Sequence, residues 1–377
     1  MGYAPGMPRS DIEIDLRLEE MHVLDENGDV DEDLDPGLDR DELIEMARVM
    51  LLARRFDERR LKLQQQGRIG TFAPVIGQEA SQVGTVSALA DSDWVVPSYR
   101  ESAVALWRGA SMTDLLLYDA GFNEGAQVEP ESRDLPIAIP VGTQLPHAAG
   151  IGYVIAMRHA ANGNGDENGN GDGSDVVMTF FGDGATSEGD VHEALNLAAL
   201  RSLPVVFVCQ NNQWAISTPV AGQTASATLA QKAVAYGMPG LRVDGNDILA
   251  TRVAAAEAVA RARAGDGPTF VECVTYRMAV HTTADDPSVY RDEDEVEQWK
   301  RRDPIDRLRT YMSNRDLAGD DDFEQIESSV SEQVADAVEQ AEARFEELGD
   351  PAGMFDHVWA EPPPYVEAQR REVERRG

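Results

Sequence analysis

The triplet Gly182-Asp183-Gly184 follows at once on an apolar run, residues 176–181, and the pair Asn211-Asn212 closes the next one, residues 204–209. Two further Gly-Asp-Gly triplets, at 171–173 and 265–267, precede apolar runs and read as simple turns. The one at 182–184 leaves a strand instead. A strand that feeds a helix delivers its loop to the carboxyl edge of a parallel sheet, where the free N–H groups of the helix attract anions. Ser187 reads as the N-cap of that helix, with Asp190 in its first turn. Glycines on both sides of Asp183 let a ligand approach the backbone. A carboxylate repels a phosphate unless a cation lies between them, and magnesium takes one or two carboxylates, phosphate oxygens and water. Right-handed crossovers bring the second strand back beside the first. Asn212 can therefore offer an amide oxygen to the same ion, although 26 residues (185 to 210) separate Gly184 from Asn211. The constellation is that of a magnesium site holding a diphosphate.

The elements needed to carry such a site are legible around it. From residue 39 to about 66, Leu43, Met46, Ala47, Met50, Leu51 and Arg54 recur at helical spacing. Apolar strands are expected at 176–181, 204–209, 240–245 and 268–277, with helices at 187–202, 229–236 and 248–264 between them. Alternation of this kind implies an α/β fold, a mostly parallel sheet flanked by helices on both faces. Phe323, Ile326, Val330, Val334, Val338 and Phe345 define one long amphipathic helix near the end. The organisation is an acidic N-terminal arm at 1–38 with a short hairpin, an α/β domain at 39–312, and a C-terminal helical extension at 313–377. The Asn/Gly-rich stretch 162–175 is a low-complexity acidic insertion. From Asp166 it opens like a calcium loop, but the twelfth position is Val177, not the bidentate glutamate such a loop requires.

With 377 residues, 42% of them hydrophobic, the chain can bury a full core. Basic residues number 33 against 68 acidic ones, a net charge of −35, which excludes a nucleic-acid footprint and docking on anionic lipid. The acid is spread along the chain, as expected of a protein working in concentrated salt. No apolar stretch is long enough for a membrane span, and the start lacks the apolar region of a secretory signal. Two cysteines, Cys209 and Cys273, suit buried reduced thiols, so a cytoplasmic location is expected.

The text GDGATSEGDVHEALNLAALRSLPVVFVCQNNQWAIS resembles the α subunit of the thiamine-diphosphate-dependent decarboxylating component of 2-oxo acid dehydrogenase complexes. So do GRIGTFAPVIGQEASQVG, WVVPSYRES, VGTQLPHAAG, YGMPGLRVDGND and HTTADDPSVYR, so the likeness runs from about Leu43 to Met312. The resemblance implies that Asp183 and Asn212 bind Mg2+ by side chain and Trp214 by its carbonyl. It implies that Gly182, Gly184 and Ala185 cradle the diphosphate, with Tyr99 and Arg100, and that Val141 lies under the cofactor. Thr143 and Gln144 would flank a second, K+ site. His281 would be the catalytic residue at the channel mouth, on a loop fixed by Arg277. The implied reaction is oxidative decarboxylation of pyruvate, with transfer of the acyl group to the lipoyl domain of an acyltransferase; branched-chain 2-oxo acids or acetoin are the alternatives. The family's other cofactor-binding half, with its glutamate, belongs to a β subunit, so the resemblance implies an α2β2 heterotetramer.

The sequence departs from the family pattern in places. Gln210 stands where some branched-chain relatives carry a phosphate-binding arginine, and Thr282 and Asp292 stand where kinase-regulated relatives carry serines. Three rival readings are an acidic calcium-binding module, a regulatory subunit with no site of its own, and a transketolase-like transferase. The incomplete calcium loop speaks against the first. The chain length speaks against the last, which carries both cofactor-binding halves on one longer chain.

Overall fold

The computed structural model describes residues 18–129, 131–162, 175–348, 351–356 and 358–375. Its strands are β1 (Leu18–Met21), β2 (Trp94–Val96), β3 (Val177–Gly182), β4 (Val205–Asn211), β5 (Trp214–Ala215), β6 (Thr218–Pro219), β7 (Gly240–Asp244) and β8 (Thr269–Val274). Six of them form one sheet in the order β1-β7-β8-β4-β3-β2, every pairing parallel. β5 and β6 make a separate antiparallel ribbon.

β3 and β4 are buried along almost their whole length because both faces of the sheet are covered. Side-chain alternation divides the core in two. Met178, Phe180, Val206 and Val208 pack with the helices Arg40–Gln65, Glu79–Val86, Ile248–Arg263 and Asp320–Glu347. Val177, Phe181, Val205 and Phe207 pack with Gln144–Asn162 and Gly189–Leu200 on the other face. The expected first helix is present as Arg40–Gln65, opened by a capping box between Asp39 and Glu42. The expected long C-terminal helix is Asp320–Glu347. Cys209 and Cys273 are buried and free.

Two expectations are corrected. The helix after β3 begins at Gly189, and no side chain caps it. Ser187 instead ends a 3-10 turn, Asp183–Ser187, which closes on itself: the Thr186 hydroxyl donates to the Asp183 carbonyl at 2.8 Å and Glu188 N to the Ala185 carbonyl at 2.9 Å. The acidic arm is also more than an appendage. β1 adds a parallel edge strand to β7, and the N–H groups of Val23 and Leu24 donate to Asp247 Oδ2 at 2.8 and 2.6 Å. Asp247 at the same time caps the helix Ile248–Arg263 through Oδ1. Among the described residues the expected hairpin is one antiparallel bridge between Leu24 and Val30. Residues 1–17 of the arm and 163–174 of the insertion, including the opening of the calcium-like loop, lie outside the described residues. Among the described residues no helix is long and apolar enough to cross a membrane.

Candidate active site

The register of β3 on β4 sets Gly182 beside Gln210, so Asp183 and Asn212 leave neighbouring strand ends together. Asp183 is 1% exposed, and its Oδ2 accepts from Gln223 Nε2 at 2.6 Å. Burial pushes its carboxyl above the usual range, against the pull of the Gln223 hydrogen bond. Asn212 is buried; its Nδ2 donates to Gln78 Oε1 at 3.0 Å, which directs Oδ1 the other way, within 3.3 Å of Trp214 N. Gln78 Nε2 is buried without a partner. A Cβ at Gly184 would stand 2.7 Å from the Ala215 Cβ, so glycine is required where β5 crosses the triplet.

One cavity of about 570 Å³ gathers these groups, lined among others by Tyr99, Arg100, Val141, Asp183, Asn212 and His281. Gly182, Gly184, Ala185, Trp214 and Gln144 line it too, whereas Arg277 and Thr143 do not. Gln144 donates to the Phe180 carbonyl at 2.8 Å and keeps a buried Oε1 with no partner. The Thr143 hydroxyl is turned to the Pro140 carbonyl at 3.0 Å.

His281 sits between two arginines. Its Nδ1 is 3.1 Å from Arg100 Nη2 and 3.1 Å from Arg277 Nη1. A guanidinium only donates, so Nδ1 accepts and the ring proton is placed on Nε2. Burial, then Arg100 and Arg277, hold the imidazole down at about 3, against the pull of Asp285. The ring is therefore neutral. Asp285 Oδ2 fixes the loop by accepting from His281 N at 2.8 Å and from the Tyr290 hydroxyl at 2.5 Å. Tyr99 meets the ring edge-on, with centroids 6.2 Å apart.

Arg277 is fully buried and also clamps the ribbon, donating to the Trp214 carbonyl at 3.1 Å, the Ile216 carbonyl at 2.8 Å and the Tyr290 hydroxyl at 2.9 Å. The clamp holds strained backbone: Gln213 and Ile216 have φ of 74° and 53°. Arg100 spends its Nη1 on the carbonyls of Pro74 and His281, at 2.9 and 3.1 Å. Gln210 is committed as well, donating to Glu101 Oε1 at 2.6 Å and accepting from Gln82 Nε2 at 2.9 Å. Asp292 caps the helix Glu293–Lys300 by accepting from Asp294 N at 3.2 Å. Among the described residues no three His, Cys, Asp or Glu side chains converge to hold a metal alone. A divalent ion at Asp183 would need neutral oxygens and ligand phosphate to complete its shell.

Sequence reasoning missed Gln78, Glu101, Gln223 and the Asp285–Tyr290 pair. Gln78 and Glu101 lay inside the stretches GQEASQVG and SYRES that carried the resemblance. Gln223 has no local signal, because only the fold of the ribbon brings it to Asp183.

The dehydrogenase E1 component family matches residues 47–347. The 3-methyl-2-oxobutanoate dehydrogenase subunit alpha of Mycobacterium tuberculosis is 44% identical over 328 residues, 86% of this chain and 84% of the relative. The pyruvate dehydrogenase E1 component subunit alpha of Acholeplasma laidlawii is 40% identical over 351 residues, 92% of this chain and 97% of the relative. The subunit of that name from Staphylococcus aureus is 39% identical over 328 residues, 86% of this chain and 85% of the relative.

Proposed function

The chain belongs to the dehydrogenase E1 component family, and on that premise we propose that it is the α subunit of the decarboxylating component of a pyruvate dehydrogenase complex. It is a thiamine-diphosphate-dependent 2-oxo acid dehydrogenase subunit that works with a β subunit. The family depends on thiamine diphosphate, generally with a divalent metal.

The cavity suits that cofactor. It carries the buried carboxylate of Asp183 at the strand end, a partnerless amide N–H at Gln78, and a glycine where β5 crosses the strand end. Asp183, the Asn212 amide oxygen and the Trp214 carbonyl would hold Mg2+. The backbone N–H groups of Gly184 and Ala185, in the first turn of the 3-10 segment, would donate to the diphosphate. Gly182, Tyr99 and Arg100 would shape the same pocket, Val141 would support the cofactor from below, and Thr143 with the partnerless Gln144 Oε1 would flank K+. Bound thiamine diphosphate supplies the electron sink on which a 2-oxo acid loses carbon dioxide.

The chain's own contribution is positioning and charge. His281, neutral and carrying its proton on Nε2, donates a hydrogen bond to oxygen charge developing at the cavity mouth. Arg100 and Arg277 fix the ring, and burial together with these two cations keeps it from becoming one itself. The group left after decarboxylation would then pass to the lipoyl group of an acyltransferase, whose disulfide would take up the two electrons released as the acyl thioester forms, within an α2β2 assembly. The observation that carries this reading is the meeting of Asp183 and Asn212 in one cavity at adjacent strand ends. A second reading, a branched-chain 2-oxo acid substrate, is favoured by the 44% identity to the mycobacterial subunit.

The test uses the assembled α/β protein. Calorimetry with thiamine diphosphate and Mg2+ is expected to show binding that Asp183→Ala abolishes. Pyruvate is expected to give the highest kcat/KM in a panel of 2-oxo acids. Unchanged cofactor binding by the Asp183→Ala protein would overturn the site, and preference for a branched substrate would select the second reading.

A further inference from the structure

The ribbon β5–β6 leads into a single helical turn, Val220–Gln223, that packs against the 3-10 segment Asp183–Ser187. Its last residue reaches back to the strand end. Gln223 Nε2 donates to Asp183 Oδ2 at 2.6 Å and to the Thr218 carbonyl at 3.0 Å. The amide orientation is fixed chemically: a carbonyl can only accept, so the NH2 end must face Thr218 and Asp183. The other end, Oε1, is buried and has no partner. A buried amide oxygen left unpaired is destabilising, so its placement beside the Asp183 carboxylate calls for a donor. The arrangement is also held under strain, through Gln213 and Ile216 at positive φ and the Arg277 clamp on the Trp214 and Ile216 carbonyls.

We infer that Gln223 is a positioning residue for the divalent cation. Its N–H fixes one oxygen of Asp183 so that the other faces the ion, and its Oε1 accepts from a water on that ion. The inference rests on the reading of Asp183 as a cation ligand. A metal-bound water is a strong donor, and ligating carboxylates are commonly oriented by hydrogen bonds of this kind. No net charge is added, so the ion's attraction to Asp183 is kept while the carboxylate rotamer is restricted.

The experiment measures Mn2+ binding to the assembled α/β protein with thiamine diphosphate, by the electron paramagnetic resonance of free Mn2+. Gln223→Met keeps the side-chain length but has neither N–H nor oxygen; Gln223→Ser removes the reach altogether. Both are expected to weaken Mn2+ about 10–100-fold, the usual effect of losing an orienting partner. Water-proton relaxation by the bound Mn2+ is expected to change in the Met variant, because its ordered water exchanges faster; a merely structural role would leave that signature unmoved. Mn2+ affinity unchanged or tightened in the soluble variant would overturn the inference while leaving the site intact. Mn2+ affinity unchanged by Asp183→Ala would instead overturn the reading of the site itself. If Gln223→Met does not fold, Gln223→Ser decides by the same two criteria.

Discussion

The neutrality of His281 gives a test that needs no ligand structure. With its imidazole held at about 3, the ring carries a proton in well under 1% of folded molecules at pH 5.5. An ordinary histidine, titrating near 6.5, would be roughly 90% protonated there. The pH profile of kcat/KM should therefore contain no step that belongs to His281 between pH 5 and 8. Removing one of the two flanking cations should create one. Like charges at such distances move a titration by roughly 1–3 pH units, so Arg277→Met should bring His281 up to about 4–6, and a new fall in kcat/KM should appear on the acid side. The assay compares profiles for the wild type, Arg277→Met and the double variant Arg277→Met/His281→Asn, in which the new step should vanish. The sign for stability follows from the same values. The folded ring binds its proton below the unfolded one, so stability is unaffected above pH 6.5 and falls as pH drops below it. After discounting for the ring's partial exposure the loss is about 1 kcal/mol at pH 5.5. A step near 6.5 in the wild-type profile that His281→Asn removes would refute the placement of the proton on Nε2 and the role of the two arginines.

Gly184→Ala places a methyl 2.7 Å from the Ala215 Cβ, so the ribbon must shift; calorimetry should show thiamine diphosphate affinity falling about tenfold or more. Arg60→Met strips a guanidinium from Asp57 and Asp119, to which it donates at 2.9 and 2.7 Å, and leaves two buried carboxylates unpaired. Urea unfolding at pH 7.5 should show a loss of about 3–5 kcal/mol. The loss should shrink towards pH 5, because burial already raises Asp57 to about 6 and the bare carboxyls protonate more readily still.

The parts of this molecule written locally were legible in the sequence. Asp39 with Glu42 marks the start of the first helix, the period of Phe323 to Phe345 marks the last, and the Val/Phe runs at 176–181 and 204–209 mark the central strands. The adjacency of Asp183 and Asn212 followed from the handedness of crossovers. Ser187 misled because its type suits a cap, while the tighter turn closed by Thr186 ends the strand first. Gln223 carried no local signal, and Glu101 and Asp285 lay inside SYRES and HTTADDPSVYR without showing their partners, because the contacts with Asp183, Gln210 and Tyr290 depend on how ribbons and loops fold over the sheet edge. β1 was hidden too, since its four residues pair with a strand more than 200 positions away.

That distance shapes how the chain is made. Leu18–Met21 leaves the ribosome more than 200 residues before the strand that receives it, Gly240–Asp244, and Val23 and Leu24 leave as far ahead of their acceptor Asp247. At about 5–20 residues per second the segment waits on the order of ten seconds or longer before it can dock. Throughout that interval it is an unpaired edge, the kind of segment that invites pairing between nascent chains. Its two adjacent acidic residues, Glu19 and Glu20, keep charge on that edge until β7 is there to pair with it.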